Sequence, residues 1–327
     1  MKKKEFNLKD FLINYGVILV MVILVVITSI KSPNFLSGNN LMNLLLNMSA
    51  RLVIALGIAG CVITAGCDLS AGRMIGLGGC IAGILLQKAD YSGKFYPDMQ
   101  PMNIFLVVII VMVITALFGA VTGIFIAFLN VPPFISTLAM MEIVYGLNLI
   151  YTNATPIGGY VDYYTALSSK GPILPWLVWI AVLIAGITWF IFNMTRHGKY
   201  MYAIGANPQA AEVTGVPVKL TMILIYAKAA AFYGLAGFML GAKSGGASVN
   251  LGLGYEMEAI AACTIGGVSV TGGRGKVSSA VVGVAVFEFL KAALQFLGVN
   301  ANAQWIALGI IIYIAISLDI RKYVTKK

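Results

Sequence analysis

Apolar positions in this chain come in long uninterrupted blocks rather than in alternation with polar ones, the pattern of helices that are apolar all round. Ten such blocks stand at 15–30, 41–65, 74–86, 102–129, 135–151, 173–193, 219–241, 256–270, 277–298 and 304–318. Several reach the ~18 residues needed to cross a bilayer. The pattern predicts an all-α fold: a polytopic integral membrane helical bundle of about ten transmembrane spans with broken helices and both termini cytoplasmic. Block 102–129 is 28 residues long, which implies tilt or an interfacial end. Blocks 74–86 and 256–270 are short, and either can be a half-crossing or re-entrant piece, in which case eight or six spans remain.

Two units read as helix–break–helix, one over 52–86 around GCDLSAGR and one over 258–285 around TGGRGK. A break at membrane depth is tolerated only where protein or a wet cavity satisfies the freed backbone groups, and transporters place such breaks along their pathways. The first break is expected near the inner face. At 130–134, NVPPF cannot be helical throughout because two prolines are adjacent.

The polar stretch 196–217 carries its own local signals. Asn207 is a good N-cap, Pro208 fits the first helical position, Gly215 can take the left-handed conformation that ends a helix, and Pro217 prevents resumption. About two turns of helix with the small side chains of Ala210 and Ala211 are predicted. So short a helix is marginal in water and needs a surface to pack on. Two readings are open: a capped turn resting on its own bundle, or a knob received by a groove on a cytosolic partner.

Charge changes the picture by giving it a direction. On this topology 14 of the 22 Lys and Arg fall on the inner side, five outside and three within spans. That is the positive-inside bias. The net charge of +10 therefore reports orientation in membrane lipid, and no nucleic-acid partner is expected. With 60% hydrophobic and 10% charged residues, a soluble protein is excluded.

Arg51, Asp68, Glu142, Lys228, Glu288 and Lys291 lie within or near spans, where a lipid-facing charge is costly. Glu288 and Lys291, three apart on one helix, are expected to pair. Asp68 is expected to cap a helix starting at Leu69 and to pair with Arg73. Arg51 and Glu142 have no local partner and are expected to face a cavity or each other. Asp68 with Glu142 can also be cast as the coupling site of an ion-driven secondary sugar carrier.

Enzyme chemistry has little to work with. His197 is the sole histidine, no metal-ligand cluster is present, and Cys61, Cys67, Cys80 and Cys263 read as small buried thiols. TGGRGKVS fails the phosphate-loop pattern at Val270 and Val277, so no ATPase site, cofactor or metal is expected.

Four blocks carry a resemblance: ITAGCDLSAGR at 63–73, NVPPFISTLAMM at 130–141, HGKYMYAIGANPQAAEVTGV at 197–216, and LGYEMEAIAACTIGGVSVTGGRG at 253–275. The last includes Tyr255, Gly266, Gly267, Gly272, Gly273 and Gly275 in matching positions. With them the chain resembles the permease subunits of binding-protein-dependent ABC importers of the ribose/galactose type, from about Tyr15 to the C-terminus. Ala139, Ala206 and Cys67 depart from the commoner glycine or small residue.

The resemblance implies a permease domain at 15–318, a cytoplasmic N-terminal segment at 1–14, a coupling loop at 194–218 and a cytoplasmic tail at 319–327. It implies that Gly205, Asn207, Pro208, Ala210, Ala211 and Gly215 form the helix docked on a cytoplasmic ABC ATPase. A homodimer and an extracytoplasmic sugar-binding protein are also implied. The cargo is expected to be galactose or a methyl-galactoside, with ribose, xylose or a nucleoside as alternatives. Pathway or gate candidates are Arg51, Asp68, Ser70, Phe134, Thr137, Glu142, Glu256 and Glu258. The topology makes a direct prediction: in sealed vesicles, a Gln209→Cys variant is labelled by an impermeant thiol reagent only from the cytoplasmic side.

Overall fold

The computed structural model describes residues 8–324, so the outermost parts of the expected terminal segments, 1–7 and 325–327, lie outside the described residues. Thirteen α-helices are found among the described residues: α1 (Leu8–Lys31), α2 (Gly38–Ile63), α3 (Ala71–Leu85), α4 (Ile104–Leu129), α5 (Pro133–Thr152), α6 (Asp162–Thr165), α7 (Trp176–Met194), α8 (Arg196–Ala206), α9 (Pro208–Val213), α10 (Val218–Ser244), α11 (Tyr255–Gly266), α12 (Val277–Phe296) and α13 (Ala301–Val324). Each of the ten apolar blocks corresponds to one of these helices. Six of them, α2, α4, α5, α7, α10 and α12, are long and apolar enough to cross a membrane by length and composition.

Helix α10 is the centre of the bundle. It packs on α4, α3 and α2, while α11 and α12 pack on each other and on α2, and α5 lies against α3 and α4. Between helices surrounded by lipid the attraction comes from close packing rather than from water, so small residues mark the closest contacts. One such contact is Gly78 of α3 on Gly234 of α10: a Cβ on Gly78 would lie 2.8 Å from the Gly234 Cα. Apolar side chains left exposed lie on the outer faces of α4, α5 and α7, as in Phe105, Leu117, Ile150 and Leu183.

Helices α3 and α11, of 15 and 12 residues, rise only about 22 and 18 Å at 1.5 Å per residue, short of the ~30 Å hydrocarbon core. Their positions refine the expectation for the first break, which opens at the end of α2 beside α8 and then re-enters the bundle. The α2 helix ends at Ile63, where Ala65 takes a left-handed φ of 58° and the chain turns back into the bundle. Asp68 reaches Tyr233, close to the middle of α10, and α3 starts there and runs beside α10 toward the far end. The chain after α10 descends through 245–254, and α11 starts beside α3: a Cβ on Gly72 would meet the Gly252 carbonyl and the Glu256 carboxylate. From there α11 runs along the other half of α2, with the Cys263 thiol donating to the Ala55 carbonyl at 3.3 Å. Two half-length helices thus begin side by side at mid-bundle and leave in opposite directions. Each is completed by an extended stretch.

The far end is closed by the loop after α5. Isolated bridges join Gln87 to Tyr160 and Ile157 to Ala247, and the buried Tyr164 hydroxyl donates to the Phe238 carbonyl at 2.6 Å.

The Gly78–Gly234 contact predicts that Gly78→Leu lowers stability in detergent by about 1–3 kcal/mol, the usual cost of overpacking, read as a drop in melting temperature. Gly146→Leu on α5, where a Cβ meets no atom within 4 Å, should leave the melting temperature unchanged.

Candidate functional site

The polar segment after α7 folds as its capping residues dictate. Thr195 accepts from the Gly198 N–H at 3.2 Å and starts α8. Asn207 is extended, with φ −164°, and its side chain accepts from the Ala210 N–H at 3.0 Å. Pro208 takes the first helical position, and Gly215 ends the turn with φ +83°. The resulting α9 is isolated in sequence between two chain reversals, and its two faces differ. Pro208, Gln209, Ala210 and Val213 are exposed, Val213 at 89%, whereas Ala211 is buried at 4%. Of the two alanines expected on the docking surface, one faces outward and the other holds α9 to the bundle. Gly205 is buried too, at the end of α8, so its place is internal.

The reason for Gly205 is a junction of three backbones. A Cβ there would collide with the Ile63 carbonyl at the end of α2. The same carbonyl accepts from the Gly273 N–H at 2.8 Å, and a Cβ on Gly272 would lie 2.6 Å from the Gly205 carbonyl. Nearby, the Tyr202 hydroxyl of α8 donates to the Gly275 carbonyl at 2.8 Å. The last turn of α8 therefore rests on the breaks of both helix–break–helix units. Behind it, half-buried His197 has its pKa lowered by burial and further by the Lys228 ammonium.

The charges within the bundle are arranged differently from the expectation. Arg51 of α2 donates through Nε to Glu258 at 3.1 Å and through Nη1 to Glu288. Lys291 pairs with the other oxygen of Glu258 at 2.7 Å, not with Glu288. Helical spacing allowed the Glu288–Lys291 pair, but Glu288 is taken by a guanidinium from α2, and α11 brings Glu258 within reach of Lys291. Two cations and two carboxylates close a neutral network that joins α2, α11 and α12. Arg51 also lies 4.8 Å from the Tyr255 ring centroid, and a cavity of about 10 Å³, room for one water, remains among Arg51, Tyr255, Glu258 and Glu288.

Asp68 does not pair with Arg73. Its carboxylate accepts from the Ser70 N–H at 3.0 Å and from the Ser70 hydroxyl at 2.6 Å, inside the bundle, and α3 begins at Ala71 rather than Leu69. Arg73 instead donates to the Asn250 side chain at 2.9 Å and lies 3.8 Å over the Tyr145 ring. Glu142 is exposed on α5 and meets neither Arg51 nor Asp68 among the described contacts. Glu256 is buried at the start of α11 with one carboxylate oxygen lacking a hydrogen-bond partner among the described residues. Phe134 is 54% exposed at the start of α5, and Thr137 is fully buried with its hydroxyl on the Phe134 carbonyl at 3.3 Å. The eight expected pathway residues thus fall into separate places. Arg51 and Glu258 belong to the charge network, Asp68, Ser70 and Glu256 to the half-helix starts, and Phe134, Thr137 and Glu142 to α5.

Two features went unread in the sequence. The ammonium of Lys228 is buried against the Phe192 ring at 4.5 Å and the Phe232 ring at 5.9 Å, and a cation with an aromatic residue one turn away in an apolar helix is the signal that marks it. The Arg73–Tyr145–Asn250 group has no local signal, because its members come from three separate segments. Among the described residues no group of three or more His, Cys, Asp or Glu side chains is placed to hold a metal.

A half-broken apolar bundle with a capped protrusion resting on its two breaks fits a membrane permease component. The profile of the family described as "Branched-chain amino acid transport system / permease component" matches residues 40–316, and the chain belongs to that family. It is a multi-pass membrane protein. It is 42% identical to the galactose/methyl galactoside import permease protein MglC of Escherichia coli K12, over 100% of this chain and 99% of that one. The Salmonella typhimurium protein of the same name is 43% identical over 95% of each chain. The ribose import permease protein RbsC of Haemophilus influenzae is 31% identical over 96% of this chain and 95% of its own. No solved structure matches the chain.

The charge network predicts a large effect from removing one member. Arg51→Met leaves Glu258 and Glu288 short of their shared cation and should cost about 3–5 kcal/mol of stability. Adding Glu288→Gln to Arg51→Met should recover most of the lost melting temperature, because it leaves Glu258 and Lys291 as a balanced pair.

Proposed function

We propose that this chain is the membrane subunit of an ATP-driven importer that carries galactose or a methyl galactoside into the cytoplasm. Two copies would form the pathway, with both termini and the α8–α9 loop cytoplasmic. A separate ATP-binding subunit docks on α9, and an extracytoplasmic binding protein delivers the sugar. The sugar reading is supported by full-length likeness to galactose/methyl galactoside permeases at 42%, against 31% for ribose permeases.

The observation that carries the mechanism is the backbone junction at Gly205, Ile63 and Gly273. The outer face of α9 offers Pro208, Gln209 and Ala210, a low surface with little side-chain bulk. A partner that moves α9 moves the end of α8. With glycine at the contact there is no side chain to bend, so displacement passes directly to the ends of both broken-helix units. Those ends lead to the paired half-helix starts at mid-bundle, where a small shift alters which end of the pathway is open. ATP binding and release on the partner would thereby alternate access without any ATP site on this chain.

An ion-coupled carrier draws no support from the site. Its expected carboxylates are apart, Asp68 bonded to Ser70 inside the bundle and Glu142 exposed on α5.

Vesicles containing this chain, the ATP-binding subunit and the binding protein should accumulate labelled galactose only when all three and ATP are present. Accumulation by this chain alone under an ion gradient overturns the proposal. For the docking face, Ala210→Trp should weaken co-purification of the ATP-binding subunit about tenfold or more, the loss of ~1.4 kcal/mol or more of binding, with the melting temperature unchanged. Ala211→Trp, placed inside, should lower the melting temperature instead.

A further inference from the structure

On α5 the one charged residue is Glu142, the tenth of twenty, and it is exposed between Leu138, Ile143 and Leu147, all exposed apolar side chains. A carboxylate facing lipid at mid-helix costs about 2.5–3.5 kcal/mol on the insertion scale, so this face of α5 is set against something wet. Tyr145, one turn further along, lies under the Arg73 guanidinium at 3.8 Å. Through Nη1, Arg73 reaches the exposed Asn250 side chain at 2.9 Å and the Val249 carbonyl at 3.3 Å. Its Nε and Nη2 donors make no hydrogen bond among the described residues. Arg73 sits in the first turn of α3, and Asn250 on the stretch that descends to α11, so the group occupies mid-bundle depth by two independent routes.

From this we infer that Glu142, Tyr145, Arg73 and Asn250 form the sugar-contact surface of the pathway. The inference rests on the importer reading above and deepens it. The chemistry fits a neutral polyol. A carboxylate accepts from two neighbouring hydroxyls, a guanidinium donates to two, and an amide does one of each. The Tyr145 ring, 3.8 Å from the Arg73 guanidinium carbon, helps hold the donors in place before the sugar arrives. The set carries one cation and one anion, leaving no net field to trap a charged solute. Neighbouring α5 side chains are apolar, so contacts stay few, as a transit site requires. The mid-depth position between half-helices is where discontinuous-helix transporters hold their cargo.

This surface is distinct from the Arg51–Glu258–Glu288–Lys291 network, whose groups are all engaged with one another. A carboxylate in that network exists to balance charge; Glu142 has no cation within ion-pair distance among the described residues.

The test uses the whole importer in lipid nanodiscs and in vesicles. Glu142→Cys is exposed to an impermeant thiol reagent, beside the unsubstituted chain and Val182→Cys on the exposed apolar face of α7. Glu142→Cys should react about tenfold faster than Val182→Cys, since a thiolate forms only in contact with water, and galactose at saturating concentration should slow it. In vesicles, Glu142→Gln and Asn250→Ala should each cut ATP-driven galactose uptake about fivefold or more, with ATP hydrolysis within about twofold of the unsubstituted complex. Melting temperatures of these surface variants confirm folding. A Glu142→Cys variant that reacts no faster than Val182→Cys overturns the inference, since the face is then covered by lipid or by a second copy. So does uptake unchanged within about twofold in both Glu142→Gln and Asn250→Ala. If the unsubstituted complex transports none of galactose, methyl galactoside or ribose, the importer reading falls by itself, and the labelling comparison still decides whether this surface meets water.

Discussion

The structure depends on two helices that begin inside the bundle. A helix start leaves backbone N–H groups without partners, and at membrane depth water is not freely at hand to satisfy them. Here α3 and α11 start next to each other, each with acidic groups at its first turn: Asp68 before α3, and Glu256 and Glu258 in α11. Carboxylates at the positive end of a helix dipole are favourable there and supply acceptors where backbone donors are left over. Their charge then has to be balanced, and for Glu258 the balance comes from Arg51 and Lys291. The four-charge network follows from the half-helix starts rather than standing beside them.

The same arrangement explains why so much of the interior is small. Two half-length helices and their extended leads must fit against the packed pair α2 and α10, so backbones approach where side chains ordinarily separate them. Gly78 meets Gly234, Gly72 meets Gly252 and Glu256, and Gly205 meets Ile63. Contacts of this kind are stiff, because no rotatable side chain lies between them. Stiffness at the α8 junction and a pair of short helices at mid-bundle are complementary properties in the proposed mechanism: one would carry a displacement inward, the other has few enough turns to respond to it.

In the proposed importer, function would be spread along one line, from the exposed face of α9, through the glycine junction, to the half-helix starts and the polar surface beside them. Conversion of a push at one end into a change at the centre needs no chemistry on the chain itself. The sugar proposed as cargo offers no charge, so the interior needs no net charge aimed at it, and four of the charges it holds, Arg51, Glu258, Glu288 and Lys291, close on one another. Glu142 stands apart from that network, exposed on α5 with no cation within ion-pair distance among the described residues.

Local features were legible without the fold. Ten apolar helices, the Asn207–Pro208 start and the left-handed Gly215 all depend on residues adjacent in sequence, where propensity and capping act directly. The breaks at GCDLSAGR and TGGRGK were visible too, because glycine and charge interrupt an apolar run whatever surrounds it. Partnership between charges was not. Glu288 had a suitable lysine one turn away and Asp68 had Arg73 five residues on, yet Glu288 bonds Arg51 and Asp68 bonds Ser70. In a low-dielectric interior a charge goes to whichever partner satisfies it with the least desolvation, and that partner lay 237 residues away for Glu288. Which of two adjacent alanines faces outward, and that the first break turns back to mid-bundle instead of stopping at the inner face, were likewise decided by packing. The sequence alone determined what each segment is, since that is set by neighbours along the chain; the tertiary structure decided what each segment touches, since that is set by neighbours in space.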